Sequence, residues 1–275
     1  MANFAKRKMM GNYFRYKKGK IHFYDKGEGD TIVLVHGYLE SAEIWNSLAA
    51  KLSEKFRIIS VDLPGHGFSD IYGKSNSMEF MAGVIKELLD QLGIGKVFLT
   101  GHSLGGYVAL AFLELYPERL TGYCLFHSHP FADFPEAIEK RKREIKIVTA
   151  GKKDLMYPDN VTRMFADENL NKFSEALLQS REIASRISAA GIIGVLKGMI
   201  KRPSRLLFME EGRVPCLWVL GLMDNYIPCD AIQKKINLPA NAEVVILKNS
   251  GHLGFIEEEE RSVEVLTDFV EKLKG

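Results

Sequence analysis

Five residues, Gly101-His102-Ser103-Leu104-Gly105, constrain the fold more than any other part of this 275-residue chain. They follow an apolar run, Val97-Phe98-Leu99, and lead into Gly106-Tyr107-Val108-Ala109-Leu110-Ala111-Phe112, which reads as a helix. A G-x-S-x-G between a strand and a helix describes a turn too tight for side chains beside the serine. Gly101, Gly105 and Gly106 meet that steric demand. The bend lifts the Ser103 hydroxyl above the sheet edge. It also aims the N-terminus of the following helix there, where the helix dipole favours an anion. A glycine-rich turn with an incidental serine is the plain alternative, and the rest of the chain decides between the two.

Runs with strand character fall at 20–24, 31–36, 57–62, 96–100, 122–127, 215–221 and 242–248, and helical patterns lie between them at 42–55, 77–92, 104–116, 229–236 and 255–274. Ile32-Val33-Leu34-Val35 and Trp218-Val219-Leu220 are continuous apolar runs, as expected of central parallel strands covered on both faces. The alternation predicts a doubly wound α/β fold. Between Phe131 and Val214 the rhythm breaks. That stretch has no strand signal and reads as helices over 135–149, 158–170, 172–186, 188–201 and 203–211. The expected division is a core of 1–130 and 214–275, with a helical cap, or lid, of 131–213. The charge run Glu139-Lys140-Arg141-Lys142-Arg143-Glu144 is read as the solvated face of the first cap helix, with opposite signs pairing at i,i+4, in preference to an anion-binding patch.

Composition bounds the rest. The apolar share of 46% and charged share of 26% are those of a soluble globular protein, and a net charge of +2 gives no global reason to expect nucleic acid or membrane binding. Cys124, Cys216 and Cys229 show no metal or redox spacing, and their odd number fits a reducing compartment. Residues 1–20 are basic without an apolar leader segment, and no segment approaches the ~20 apolar residues of a membrane span. The expected location is cytoplasmic.

A serine at neutral pH is a weak nucleophile and needs a base, which in turn needs an orienting acid. Asn249-Ser250-Gly251-His252 follows the last strand, and Gly221-Leu222-Met223-Asp224-Asn225-Tyr226-Ile227-Pro228 follows the one before it. Both loops fall at the carboxyl edge of the sheet, as does Ser103. Alone, His252 reads as a helix-capping loop histidine and Asp224 as an Asx turn before Pro228. Together, in the order Ser103, Asp224, His252, they read as nucleophile, acid and base. A tetrahedral intermediate also needs two backbone N–H donors. Leu104, after the nucleophile, supplies one; Tyr38, after His36-Gly37 at the end of an early strand, supplies the other. His36 is expected to bond its own loop backbone, and His102 to pack under the elbow. His127 and His129 are expected to line the pocket or hinge rather than form an H-x-H metal pair.

The set formed by His36-Gly37, Asp62-Leu63-Pro64-Gly65-His66-Gly67-Phe68-Ser69, the elbow, Gly221 to Pro228 and Gly251-His252 resembles the α/β-hydrolase fold superfamily, in its serine-nucleophile branch with a helical cap domain. The resemblance covers nearly the whole chain outside the cap. It implies a mostly parallel central sheet with helices on both faces, no cofactor, no metal, and a small-molecule acyl substrate. It gives His66 no catalytic role and leaves the oligomeric state open. Ser103 argues against dehalogenases and epoxide hydrolases, which resemble this layout but carry aspartate at the elbow. Cleavage of a small or medium carboxylic ester is expected. Thioesterase, lactonase and perhydrolase chemistry run on the same triad. So does C–C bond hydrolysis of a dicarbonyl compound, for which Arg163, Arg181 and Arg186 are candidate carboxylate-binding groups. The non-enzyme alternative is a small-ligand receptor on the same fold. Cap residues such as Met164, Met199, Phe165, Leu178 and Met209 are expected to pack the cap or line an apolar pocket.

Overall fold

The computed structural model describes residues 11–274, so the first ten residues of the basic N-terminal stretch lie outside the described residues. The described strands are β1 (Asn12–Tyr16), β2 (Gly19–Lys26), β3 (Thr31–Val35), β4 (Arg57–Val61), β5 (Val97–His102), β6 (Leu120–Phe126), β7 (Cys216–Gly221) and β8 (Ala242–Leu247). The helices are α1 (Asn46–Leu52), α2 (Met78–Gln91), α3 (Leu104–Leu115), α4 (Pro135–Thr149), α5 (Tyr157–Thr162), α6 (Ser174–Arg186), α7 (Ala189–Lys201), α8 (Leu206–Glu210), α9 (Cys229–Gln233), α10 (Gly254–Glu257) and α11 (Glu259–Lys272).

The strands form one sheet in the order β1-β2-β4-β3-β5-β6-β7-β8. β1 and β2 are antiparallel to their neighbours; the remaining pairs are parallel. Every residue of β3, β5 and β7 is buried. Because successive side chains point to opposite faces, a wholly buried strand must be covered on both. The edge strand β8 is partly exposed along most of its length, consistent with its having one neighbour. β1 escapes the hydropathy pattern because Phe14 is its one buried residue. Lys17, at a φ of 49°, turns the chain between β1 and β2.

Residues 131–213 contain no strand among the described residues. α4 packs against α7, and α5 against α6. α6 ends where Ser188 caps α7 by accepting from the Gly191 N–H at 3.1 Å. The helix expected over 158–170 is shorter: α5 stops at Thr162, the N–H groups of 163–165 still bond back to it, and the groups that would carry it on turn elsewhere. The Met164 carbonyl accepts from His252 N at 2.7 Å, and Ala166 N donates to Glu257 Oε1 at 2.9 Å. The final helix expected over 255–274 is likewise split between α10 and α11 at Glu258, whose Oε2 accepts from Asn249 N at 2.8 Å. Among the described residues no single helix is long and apolar enough to cross a membrane.

Candidate active site

Ser103 takes a φ of 49° and ψ of −110°, a region that L-residues rarely occupy. Strain of this kind persists only where the surroundings fix it. Ser103 N donates to the Phe126 carbonyl at 3.0 Å, and its own carbonyl accepts from Gly106 N at 3.0 Å and Ser128 Oγ at 2.7 Å. The glycines are steric requirements. A Cβ on Gly105 would lie 2.2 Å from the Val35 carbonyl oxygen, and one on Gly101 would lie 2.2 Å from that of Gly105. The serine is thereby held where β5 meets α3, partly exposed, with buried residues on both sides.

Asp224 and His252 stand on the loops after β7 and β8. His252 Nδ1 donates to Asp224 Oδ2 at 2.7 Å, which leaves Nε2 of the neutral ring free of hydrogen. The other carboxylate oxygen of Asp224 accepts from Tyr226 N at 2.7 Å and Ile227 N at 3.0 Å. The turn contacts and the contact to His252 thus fall on different oxygens of Asp224. Burial alone would raise the Asp224 carboxyl, but His252 and His127 beside it hold it well below the usual carboxylate range. Among the described residues no hydrogen bond joins Ser103 Oγ to His252, although both open onto the same cavity.

His127 and His129 take separate partners. His127 Nε2 accepts from Gly254 N at 3.1 Å and its Nδ1 lies 3.4 Å from Asp224 Oδ2, with burial holding the ring down at about 4. His129 lies against Tyr107 Oη at 3.2 Å and accepts from Phe131 N. His127, Asp224 and His252 each offer one ligand atom within 4.8 Å of the others; the Asp224–His252 pair is hydrogen-bonded, while His127 Nδ1 lies 3.4 Å from Asp224 Oδ2 without a hydrogen bond. His36 bonds the Gly37 carbonyl at 2.8 Å and accepts from Leu63 N at 3.0 Å, the loop-bracing role expected of it.

Leu104 N opens α3 and so has no intrahelical acceptor. Tyr38 follows Gly37 on the loop after β3. Its phenol donates to Glu144 Oε2 on α4 at 3.2 Å, while Asn160 Nδ2 donates to Glu144 Oε1 at 3.1 Å. Sequence reasoning gives no role to Glu40, which is fully buried beneath this loop. Glu40 Oε2 accepts from Gly37 N at 2.5 Å and faces His102 Nδ1 at 2.9 Å; His102 Nε2 donates to the His252 carbonyl at 2.8 Å. Despite its burial, the neighbouring His102 and the Gly37 N–H hold the Glu40 carboxyl below its ordinary value. The only prior signal for this link is the position of Glu40 three residues after Gly37.

The cavity at Ser103 and His252 has a volume of about 490 Å³, within the range for small-molecule sites. Its wall includes Tyr107, Met164, Met199, Tyr226 and Ile227. Phe165 and Met209 are buried in packing, whereas Leu178 is exposed to solvent rather than packed. The charge run on α4 is not wholly solvated: Glu139, Lys142 and Arg143 face out, but Lys140, Arg141 and Glu144 line the cavity. Of the three arginine candidates, Arg163 lines it; Arg181 donates to Thr162 and Arg186 pairs with Glu43.

Residues 30–165 match the family model described as the alpha/beta hydrolase fold. Among curated relatives, the chain is 30% identical over 249 residues to the dihydrolipoyllysine-residue acetyltransferase component of an acetoin cleaving system from Pseudomonas putida. That alignment covers 90% of this chain and spans 65% of the relative's length. It is 29% identical over 268 residues, and 91% of each chain, to a 2-hydroxy-6-oxononadienedioate/2-hydroxy-6-oxononatrienedioate hydrolase from Paraburkholderia phymatum. Among solved structures, a thermophilic esterase from Thermogutta terrifontis superposes with a TM-score of 0.88 at 27% identity, covering 96% of this chain and 99% of that one. Sheet order, elbow and family match agree: the chain belongs to the α/β-hydrolase fold superfamily of enzymes.

Proposed function

We propose that the protein is a serine hydrolase that cleaves a small or medium carboxylic ester through an acyl-enzyme. His252 takes the Ser103 proton as Oγ attacks the ester carbonyl, and the N–H groups of Tyr38 and Leu104 hold the resulting oxyanion. The carbon–oxygen bond to the alcohol then breaks, with His252 returning the proton to the leaving oxygen. Water, deprotonated by His252, attacks the acyl-enzyme and releases the acid and Ser103. Asp224 fixes the His252 tautomer and balances the imidazolium. Residues 131–213 act as a cap that roofs Ser103 and excludes water.

One contact supports this above the others: His252 Nδ1 on Asp224 Oδ2 at 2.7 Å, at the edge of a cavity that Ser103 also lines. Turnover of a chromogenic butyrate ester tests it. Ser103→Ala should lower kcat by about 10³-fold or more. Near-native turnover by the alanine protein would overturn the assignment, and a native protein that binds esters without turning them over would favour a receptor.

C–C bond hydrolysis of a dicarbonyl compound is the second reading. It is favoured by Arg163 at the cavity wall and by the similarity over 91% of each chain to a protein named as a dioate hydrolase. Direct comparison of ester and β-diketone substrates separates the two.

A further inference from the structure

The inner face of α4 and the wall opposite carry more positive than negative charge. Lys140, Arg141, Arg163 and Lys235 line the cavity beside Asp133 and Glu144. Both carboxylates are engaged. Asp133 is shared by Arg141 Nε at 2.6 Å and Arg202 Nη1 at 2.7 Å, and Glu144 accepts from Tyr38 and Asn160. Lys140 reaches Glu144 only at 4.0 Å, and among the described residues no carboxylate lies within 4.0 Å of the Arg163 or Lys235 side chain. Lys140 and Arg163 are gathered over one ring, that of Tyr226, at 4.8 and 5.6 Å from its centroid. The same ring lies 5.2 Å from the His252 ring. Two cations held close together repel; burial and the neighbouring Arg163 and Arg141 act against the Lys140 charge, and Glu144, with Asp159 a smaller contributor, offsets them only in part. A cleft with a surplus of one sign attracts a ligand of the other.

We propose that the substrate carries a carboxylate a short chain away from its reacting carbonyl, and that Lys140 and Arg163 hold it. This rests on the serine-hydrolase assignment and names the substrate class for that site. Arg163 offers a planar fork to the carboxylate and Lys140 a point charge, with the Tyr226 ring in contact range of both cations and of the base. The chain between carbonyl and carboxylate is short, because the Tyr226 ring that both cations approach at 4.8 and 5.6 Å also lies 5.2 Å from the His252 ring. The charge run on α4 then has two jobs: Glu139, Lys142 and Arg143 solvate the cap, and Lys140 selects the ligand.

The experiment compares kcat/KM for the mono-p-nitrophenyl ester of glutaric acid with that for p-nitrophenyl pentanoate. A second pair places the carboxylate on the alcohol portion instead. One charged ester should exceed its neutral partner by about tenfold or more. Each of Arg163→Gln and Lys140→Gln should lower that ratio by about fivefold, as expected for a partly exposed ion pair. Raising the salt from about 0.05 to 0.5 M should compress it. Arg186→Gln, which alters a surface pair with Glu43 outside the cavity, should leave the ratio unchanged. Equal or lower turnover of both charged esters by the native protein would overturn the proposal, as would a ratio that survives the double variant. A native protein that turns over none of the esters and resists a serine-reactive fluorophosphonate would overturn the hydrolase assignment itself, and this proposal with it.

Discussion

The buried carboxylate of Glu40 lies 2.9 Å from His102 Nδ1, and through that contact one side chain ties together three loops. Gly37 N binds the same carboxylate oxygen beside the proposed oxyanion donor Tyr38. His102 stands next to Ser103, and its other nitrogen holds the His252 carbonyl. Removing the Glu40 charge should misplace the reacting groups without emptying the pocket. Glu40→Gln should lower kcat about ten- to a hundredfold, from the ~1.5–3 kcal/mol of a hydrogen bond to a charged group, while KM changes little. A variant with native kcat and a raised KM would show that Glu40 acts on the pocket instead.

Asp224→Asn separates the two tasks of the acid. An amide oxygen can still accept from Tyr226 N and Ile227 N, so the loop and the melting temperature should be retained. The amide nitrogen facing His252 favours the wrong tautomer, and kcat should fall by about 10⁴-fold. Asp224→Ala should lose the turn as well as the activity. An Asn variant of near-native activity would remove Asp224 from the proposed triad.

Acid should destabilise the protein well before its carboxylates are protonated. Burial holds His66 at about 3, His127 at about 4 and His129 at about 3, against an ordinary value of 6.5. In the unfolded chain these rings take up protons as the pH falls through about 6.5; in the folded chain they stay neutral. The unfolded state therefore binds more protons, so stability is full above about pH 6.5 and declines toward about pH 4. The slope is up to about 1.4 kcal/mol per pH unit for each histidine. Asp224 and Glu40, both held low, add their own loss only as the pH falls below the ordinary carboxylate range. Urea midpoints measured at intervals from neutrality to acid check this. A profile flat over that window would contradict it, and His66→Asn should make it shallower.

Met199 is buried in α7 and lines the cavity, so Met199→Ala should enlarge the pocket from the cap side. Preference should move toward longer acyl chains by more than turnover of the shortest ester falls. Unchanged chain-length preference in this variant and in Met164→Ala would mean that these cap residues do not set specificity.

Much of this architecture is legible in the sequence because its constraints are local. The glycines around Ser103 answer to backbone atoms within a few ångströms, and the wholly buried β3 and β7 announce themselves as apolar runs. Asp224 and His252 are recognisable because each follows a strand of the same parallel sheet, and parallel strands deliver their loops to one edge. What escapes depends on distant partners. Glu40 looks like a loop residue until His102, sixty-two positions away, folds over it. The inward turn of Lys140 and Glu144 depends on which face of α4 meets the core, and a helix charged on every side does not declare that. The break at 163–166 exists because His252 and Glu257 claim backbone groups that a continuous helix would have used.

The central claim is that Ser103 is a nucleophile activated by His252. A fluorophosphonate probe followed by mass mapping of the adduct measures this most directly. The native protein should take up one equivalent, located on Ser103; Ser103→Ala should take up none, and Asp224→Asn should react far more slowly. An adduct on another residue, or a native protein that stays unlabelled while it turns over esters, would contradict the account.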